Sequence, residues 1–190
     1  EKSLAERSAL PLPKTARTQS GVDFVLNANC WSFRDGTRQI VFNFELLPNI
    51  CTTLLLGFQK TLLWYIENRA ITTAKTEFIA FAWLAKQIRQ QKTAILERIT
   101  PEEILTARII SKKSDQYLYI LRPFLQKWNE LGADGVGQDV ADCLSNLKIK
   151  PSPKGVAVAT LDTKKGPLTD IEYEAIQQAL NSAYSRSENN

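Results

Sequence analysis

The chain of 190 residues has no histidine, no methionine and only three cysteines. Without histidine the commonest side-chain base at neutral pH is missing, and every Ser/His or Cys/His catalytic arrangement goes with it. Cys30, Cys51 and Cys143 stand far apart and form no CxxC pair. The usual Cys/His zinc site is therefore excluded, and reduced cysteines in a cytoplasmic protein are expected. Neither a GxxxxGK(S/T) nor a GxGxxG phosphate loop occurs. Long apolar runs are also missing. Stretches such as Leu54-Leu55-Leu56 fall far short of the roughly 20 residues that span a bilayer. Glu1 to Ala9 is polar and mixed in charge, unlike a secretory leader. No metal, no cofactor and no membrane partner is expected. The lack of an initiating Met points to a trimmed or processed start.

What is present is enough apolar residue, 44%, for one domain with a real core. The net charge of +4 is unevenly spread. Residues 49–113 hold ten Lys/Arg against five acids, and the remainder holds fourteen against fifteen. A local basic excess is a weak footprint for nucleic acid, since many solvated helix faces share it.

Residues 1–22, rich in Ser, Pro, Thr, Lys and Arg, have no sustained period and read as a flexible arm. Residues 23–47 read as a β-hairpin segment. Phe24, Leu26 and Ala28 alternate with polar or opposite-facing neighbours, and Trp31 and Phe33 continue the alternation. Arg34-Asp35-Gly36-Thr37 supplies a turn, and Ile40, Phe42 and Phe44 share the return face.

Residues 48–148 read as a helical domain. A first helix is expected over Pro48–Asn68, with Pro48 in its first turn. A second is expected from a Thr72 or Thr73 cap to Gln91, burying Phe78, Ala82, Ala85 and Ile88. Thr100-Pro101-Glu102-Glu103 combines a cap, a first-turn proline and a capping-box Glu, opening a short helix to Ile110. Ser114 is expected to cap a fourth helix, Asp115 to about Leu131, with Leu118, Leu121, Leu125 and Trp128 buried. Pro123 should kink or restart it, and Gly132 should stop it. Asp139 to Leu147 reads as a last short helix burying Val140, Leu144 and Leu147. Residues 149–190 read as a Pro/Gly linker, an extended strap and a helix opened by Thr169-Asp170-Ile171-Glu172. The glycines of Gly132-Ala133-Asp134-Gly135-Val136-Gly137 follow a helix rather than a strand, so they read as a helix stop. Carboxylate pairs such as Glu102/Glu103 sit at helix starts, where capping explains them.

Several of these segments, in this order, resemble the core-binding, SAM-like domain of tyrosine recombinases (phage-type integrases). A long apolar helix closes on Leu62-Leu63-Trp64-Tyr65-Ile66. Thr72-Thr73-Ala74-Lys75 opens the next, and Ile99-Thr100-Pro101-Glu102-Glu103-Ile104 follows. A Ser-started helix then carries Leu121-Arg122-Pro123-Phe124. Thr160-Leu161-Asp162 and Gly166-Pro167-Leu168-Thr169-Asp170-Ile171-Glu172 resemble the family's passage into the first helix of its catalytic domain. The resemblance covers most of residues 31–184.

It implies a mainly α fold, a helical bundle preceded by a small β-hairpin and followed by a linker and one extra helix. It implies an N-terminal part of an integrase that clamps duplex DNA for recombination or integration of a mobile element, alongside other protomers on the same DNA. The family's catalytic Arg, His-box, Lys and Tyr residues lie in the following domain. The chain has no His, and none of Tyr65, Tyr117, Tyr119, Tyr173 or Tyr184 occupies the nucleophile's setting. This chain is therefore not expected to cut or join DNA by itself.

Helix N-termini favour phosphates through free N–H groups and partial positive charge. The expected contacts are Thr72, Thr73, Lys75 and Thr76 at one helix start and Lys112, Lys113, Ser114 and Gln116 at another. Lys86, Arg89 and Arg122 are second choices. The competing expectation is a helical protein–protein interaction module with no nucleic-acid role, docking through the Ile171–Tyr184 stripe.

Overall fold

Alternating burial between Cys30 and Asn43 builds the first packed layer of the computed structural model, which describes residues 11–47, 49–91, 94–111, 114–149 and 174–180. Strand β3 (Cys30–Asp35) pairs antiparallel with β4 (Arg38–Asn43), with Trp31 opposite Phe42 and Phe33 opposite Ile40. The period of two puts these four side chains on one buried face. Gly36, at φ +59, takes the first of the two turn positions, where a tight hairpin demands positive φ.

The strand expected from Phe24 through Phe33 is broken in two. Strand β2 is only Asp23–Val25, and it pairs with β1 (Thr15–Arg17). Between β2 and β3 the backbone finds partners off the ladder. Gln59 Nε2 donates to the Ala28 carbonyl (2.8 Å), Trp31 Nε1 to the Asn27 carbonyl (2.9 Å) and the Phe44 N–H to the Asn29 carbonyl (2.9 Å).

The same sheet corrects the expected flexible arm. Residues 11–22 are part of the fold: Thr18 is buried, its hydroxyl accepts from the Val22 N–H, and the Gln19 N–H donates to the Ile66 carbonyl at 2.9 Å. Residues 1–10 lie outside the described residues.

The chain divides into two units, Glu1–Lys150 and Pro151–Asn190. In the first, five α-helices follow the strands among the described residues: α1 (Thr52–Asn68), α2 (Ile71–Gln91), α3 (Pro101–Ile110), α4 (Ser114–Glu130) and α5 (Gln138–Asn146). The domain is mainly α with a small antiparallel β portion ahead of it, as the sequence pattern implied. In the second unit 174–180 is helical. The expected linker, strap and capping box over 150–173 lie outside the described residues.

Helix α1 starts later than expected. The Cys51 N–H donates to the Leu96 carbonyl (3.0 Å) and the Leu96 N–H to the Asn49 carbonyl (2.7 Å), which, after Asn49 at φ +43, bridges Ile50 to Leu96 and leaves Cys51 extended. Cys51 is the cap, its sulfur accepting from the Leu54 N–H. Pro48 lies outside the described residues. In α2 the burial centres on Ala74, Phe81, Leu84 and Ile88, with Phe78 and Ala82 at its edge rather than its middle. The box at α3 forms in full, Thr100 and Glu103 each serving the other's backbone N–H. Helix α4 runs past an exposed Pro123 without restarting, and Gly132 ends it at φ +63. Leu147 is the half-buried cap of α5 rather than core.

An aromatic cluster ties the layers. Phe58 of α1 stacks on Phe81 of α2 (centroids 4.0 Å, 13°) and meets Phe44 below the hairpin and Phe124 and Trp128 of α4. Trp128 Nε1 donates to the carbonyls of Ala133 (3.1 Å) and Asp134 (2.9 Å), drawing the α4–α5 loop over the cluster. Gly57 allows that closure, since a Cβ there would lie 2.1 Å from the Asp134 oxygen and 2.9 Å from the Trp128 ring.

A glycine inside a helix normally costs about 1 kcal/mol relative to alanine. Here the steric term wins. Gly57→Ala should lower stability by about 1–3 kcal/mol, as overpacking does, read from the urea midpoint. A raised midpoint would contradict the packing described.

Candidate nucleic-acid interface

At 100° per residue, Thr72, Lys75, Thr76, Ile79, Trp83, Lys86 and Gln90 fall on one face of α2, with Arg89 at its edge. That face is the one opposite Phe81 and Leu84. Thr72, Lys75, Thr76, Ile79, Lys86, Arg89 and Gln90 are exposed, while Thr73 and Trp83 are half-buried. Among the described residues no ion pair holds Lys75, Lys86 or Arg89. The sole carboxyl group of α2, Glu77, points the other way and is 4% exposed. Its Oε2 has no hydrogen-bond partner. Burial pushes its pKa up to about 8, so it is mostly protonated at neutral pH. Helix α2 then carries three cations and no anion. Tyr65 of α1 is pushed up to about 12, mainly by burial and then by the charge Glu77 acquires in alkali.

The expected helix-start contacts do not all survive. Helix α2 begins at Ile71, so Thr72 and Thr73 lie inside its first turn and neither caps it. The Thr73 N–H donates to the Ala70 carbonyl (2.8 Å), and Thr76 spends its hydroxyl proton on the Thr72 carbonyl (2.8 Å). Ser114 is not a cap either. It lies within α4, buried, its hydroxyl donating to the Arg108 carbonyl at 2.8 Å, and is unavailable to a ligand. Arg122 is also removed. Its guanidinium is half-buried and donates to the Leu147 carbonyl, tying α4 to the end of α5. Gln116 is exposed, and Lys112 and Lys113 lie outside the described residues.

The two helix starts are not side by side along α2. Trp83 stacks on Tyr117 in the first turn of α4 (4.8 Å, 16°). That contact lies about 4 Å of helix rise from Lys86 and about 10 Å from Thr76. Of the candidates on α2, the second-choice pair Lys86 and Arg89 is thus nearest to the start of α4. Leu46, Ala82, Trp83, Lys86, Arg89 and Gln90 line an open groove of about 560 Å³ there. A second hollow of about 390 Å³ lies at the start of α2, between Thr18–Ser20 and Arg69–Thr72. Arg69, exposed in the α1–α2 turn with its guanidinium 5.9 Å from the Trp64 ring, was not singled out by the sequence pattern. Its place became visible only once residues 15–22 were packed against the end of α1. Trp128 is core, whereas Trp64 is half-buried beneath Lys127 Nζ at 4.6 Å.

No protein-family model, curated protein or solved structure matches the chain. Among the described residues, no cluster of three His, Cys, Asp or Glu side chains is placed to hold a metal, and no helix is long and apolar enough to cross a membrane.

Glu77 has a pH signature. In the unfolded chain it ionises near 4.5 and in the fold near 8, so stability is fully present below the lower value and is lost as pH rises between the two. The melting temperature should therefore fall from pH 5 to pH 8. Glu77→Gln should flatten that fall and raise stability at pH 8. Equal slopes for variant and parent would show that Glu77 is not buried as described.

Proposed function

We propose that this chain is the DNA-binding part of a site-specific tyrosine recombinase, acting in the cytoplasm on duplex DNA alongside other protomers. The observation that carries the reading is the outer face of α2, with three cations that no ion pair holds among the described residues, exposed hydroxyl and amide groups beside them, and its one carboxyl turned inward and mostly protonated. Thr72, Lys75, Lys86 and Arg89 take phosphates, and Gln90 and Gln116, both exposed, reach phosphate or base edges. These contacts position the protein. Cutting and rejoining belong to a catalytic domain outside these residues, and this part grips DNA without performing chemistry.

A second reading, a protein-interaction module, is favoured by one feature. Leu105, Ile109 and Ile110 are exposed on α3, Ile109 to 85%. Of the Ile171–Tyr184 stripe, 174–180 falls within the described residues, with Ile176 and Leu180 exposed.

Fluorescence anisotropy with a labelled duplex separates the two. Each phosphate contact adds about 0.9 to the slope of log K against log salt. Lys86→Ala with Arg89→Ala should lower that slope by about two and weaken binding most at low salt. No duplex binding at about 50 mM salt, where such contacts are strongest, would sink the DNA reading. Self-association indifferent to the double substitution would favour the second.

A further inference from the structure

The basic face of α2 is not uniformly polar. Ile79 lies between Lys75 and Lys86 and is 55% exposed, and Trp83 follows one turn later. Leu46, 72% exposed, extends this apolar strip from the hairpin side along the groove it shares with Trp83 and Lys86. Phosphate binding alone has no use for branched carbon between its cations. Such surface gains from association only when something apolar covers it.

The spacing of the charges suggests what does. Lys75 and Lys86 are about 16 Å apart along the helix, and the major groove is about 12 Å wide. With α2 laid across the groove, its two lysines meet phosphates on opposite walls. Ile79, about 6 Å along the helix from Lys75, then stands over the groove floor. The apolar group presented there is the thymine C5 methyl, which cytosine and both purines lack.

We infer that Ile79, flanked by Trp83, reads thymine methyl groups, which gives the DNA-binding face a preference for thymine-bearing steps. This rests on the DNA-binding reading of the same face. It adds a source of sequence preference that the lysines, which meet only phosphate, cannot supply.

The test uses the full chain and two short duplexes of one sequence, alternating adenine–thymine and its counterpart with deoxyuridine in place of every thymidine. The two differ only in the C5 methyl. Burying one methyl is worth about fourfold in affinity, so the thymine duplex should bind about fourfold tighter or more at matched salt. Ile79→Ala should remove most of that ratio while leaving the salt slope unchanged, because it carries no charge. Ile79→Val should keep an intermediate ratio. Equal binding of the two duplexes by the parent chain overturns the inference and leaves the DNA reading standing. A ratio that persists in Ile79→Ala also overturns it, by placing the preference elsewhere. Absence of binding to either duplex overturns both, and leaves an acidic protein surface as the ligand of this face.

Discussion

The stack of Phe58 on Phe81 decides more than core stability. It sets the rotation of α2 about its own axis. With Phe81 turned toward α1 and α4, and Leu84 and Ile88 buried with it, the face 180° away is committed to solvent. That face holds Thr72, Lys75, Ile79, Lys86 and Gln90. The hairpin fixes the same rotation from a second side, since Phe42 and Phe44 both meet Phe78. A basic surface is therefore a consequence of aromatic packing on the other side of the same helix.

Polar groups inside the domain mostly close it. Trp128 pins the α4–α5 loop, Arg122 ties α4 to the end of α5, and Ser114 joins the start of α4 to Arg108 on α3. Arg108 in turn reaches Asp115 and the Lys148 carbonyl. These groups hold α3, α4 and α5 together, so they cannot also serve a ligand. Among the described residues two buried polar atoms have no hydrogen-bond partner, Arg122 Nε and Glu77 Oε2. For the Glu77 carboxyl this is a cost of the kind that burial of a polar group carries unless it is bonded or neutralised. Protonation neutralises it, and the same protonation removes the one negative charge from α2.

Local patterns were readable wherever one element decides its own outcome. The capping box at Thr100, the stop at Gly132, the hairpin turn at Gly36 and the core stripe of α4 all depend on a few adjacent residues, and all are present. What failed depended on distant partners. Cys51 caps α1 because the chain just before it bridges to Leu96. Thr15–Arg17 is a strand because β2 leaves β3 to pair with it, and nothing in its own composition announces that. For the candidate site, residue type and helical position selected Lys75, Lys86, Arg89 and Gln116, which the fold leaves exposed. They also selected Ser114 and Arg122, whose side chains turn to backbone carbonyls far along the chain. Spacing along a helix gives the face of a residue, but it does not give the neighbour that claims its hydrogens.

The face of α2 opposite Phe81 is the surface proposed to lie on duplex DNA. Backbone amide NMR of the full chain, titrated with a short duplex at low salt, tests it most directly. Shift changes should concentrate at Thr72, Lys75, Thr76, Ile79, Lys86 and Arg89 and at Gln116, with Leu105 and Ile109 of α3 unmoved. Changes confined to α3, or no changes with saturating duplex, would contradict it.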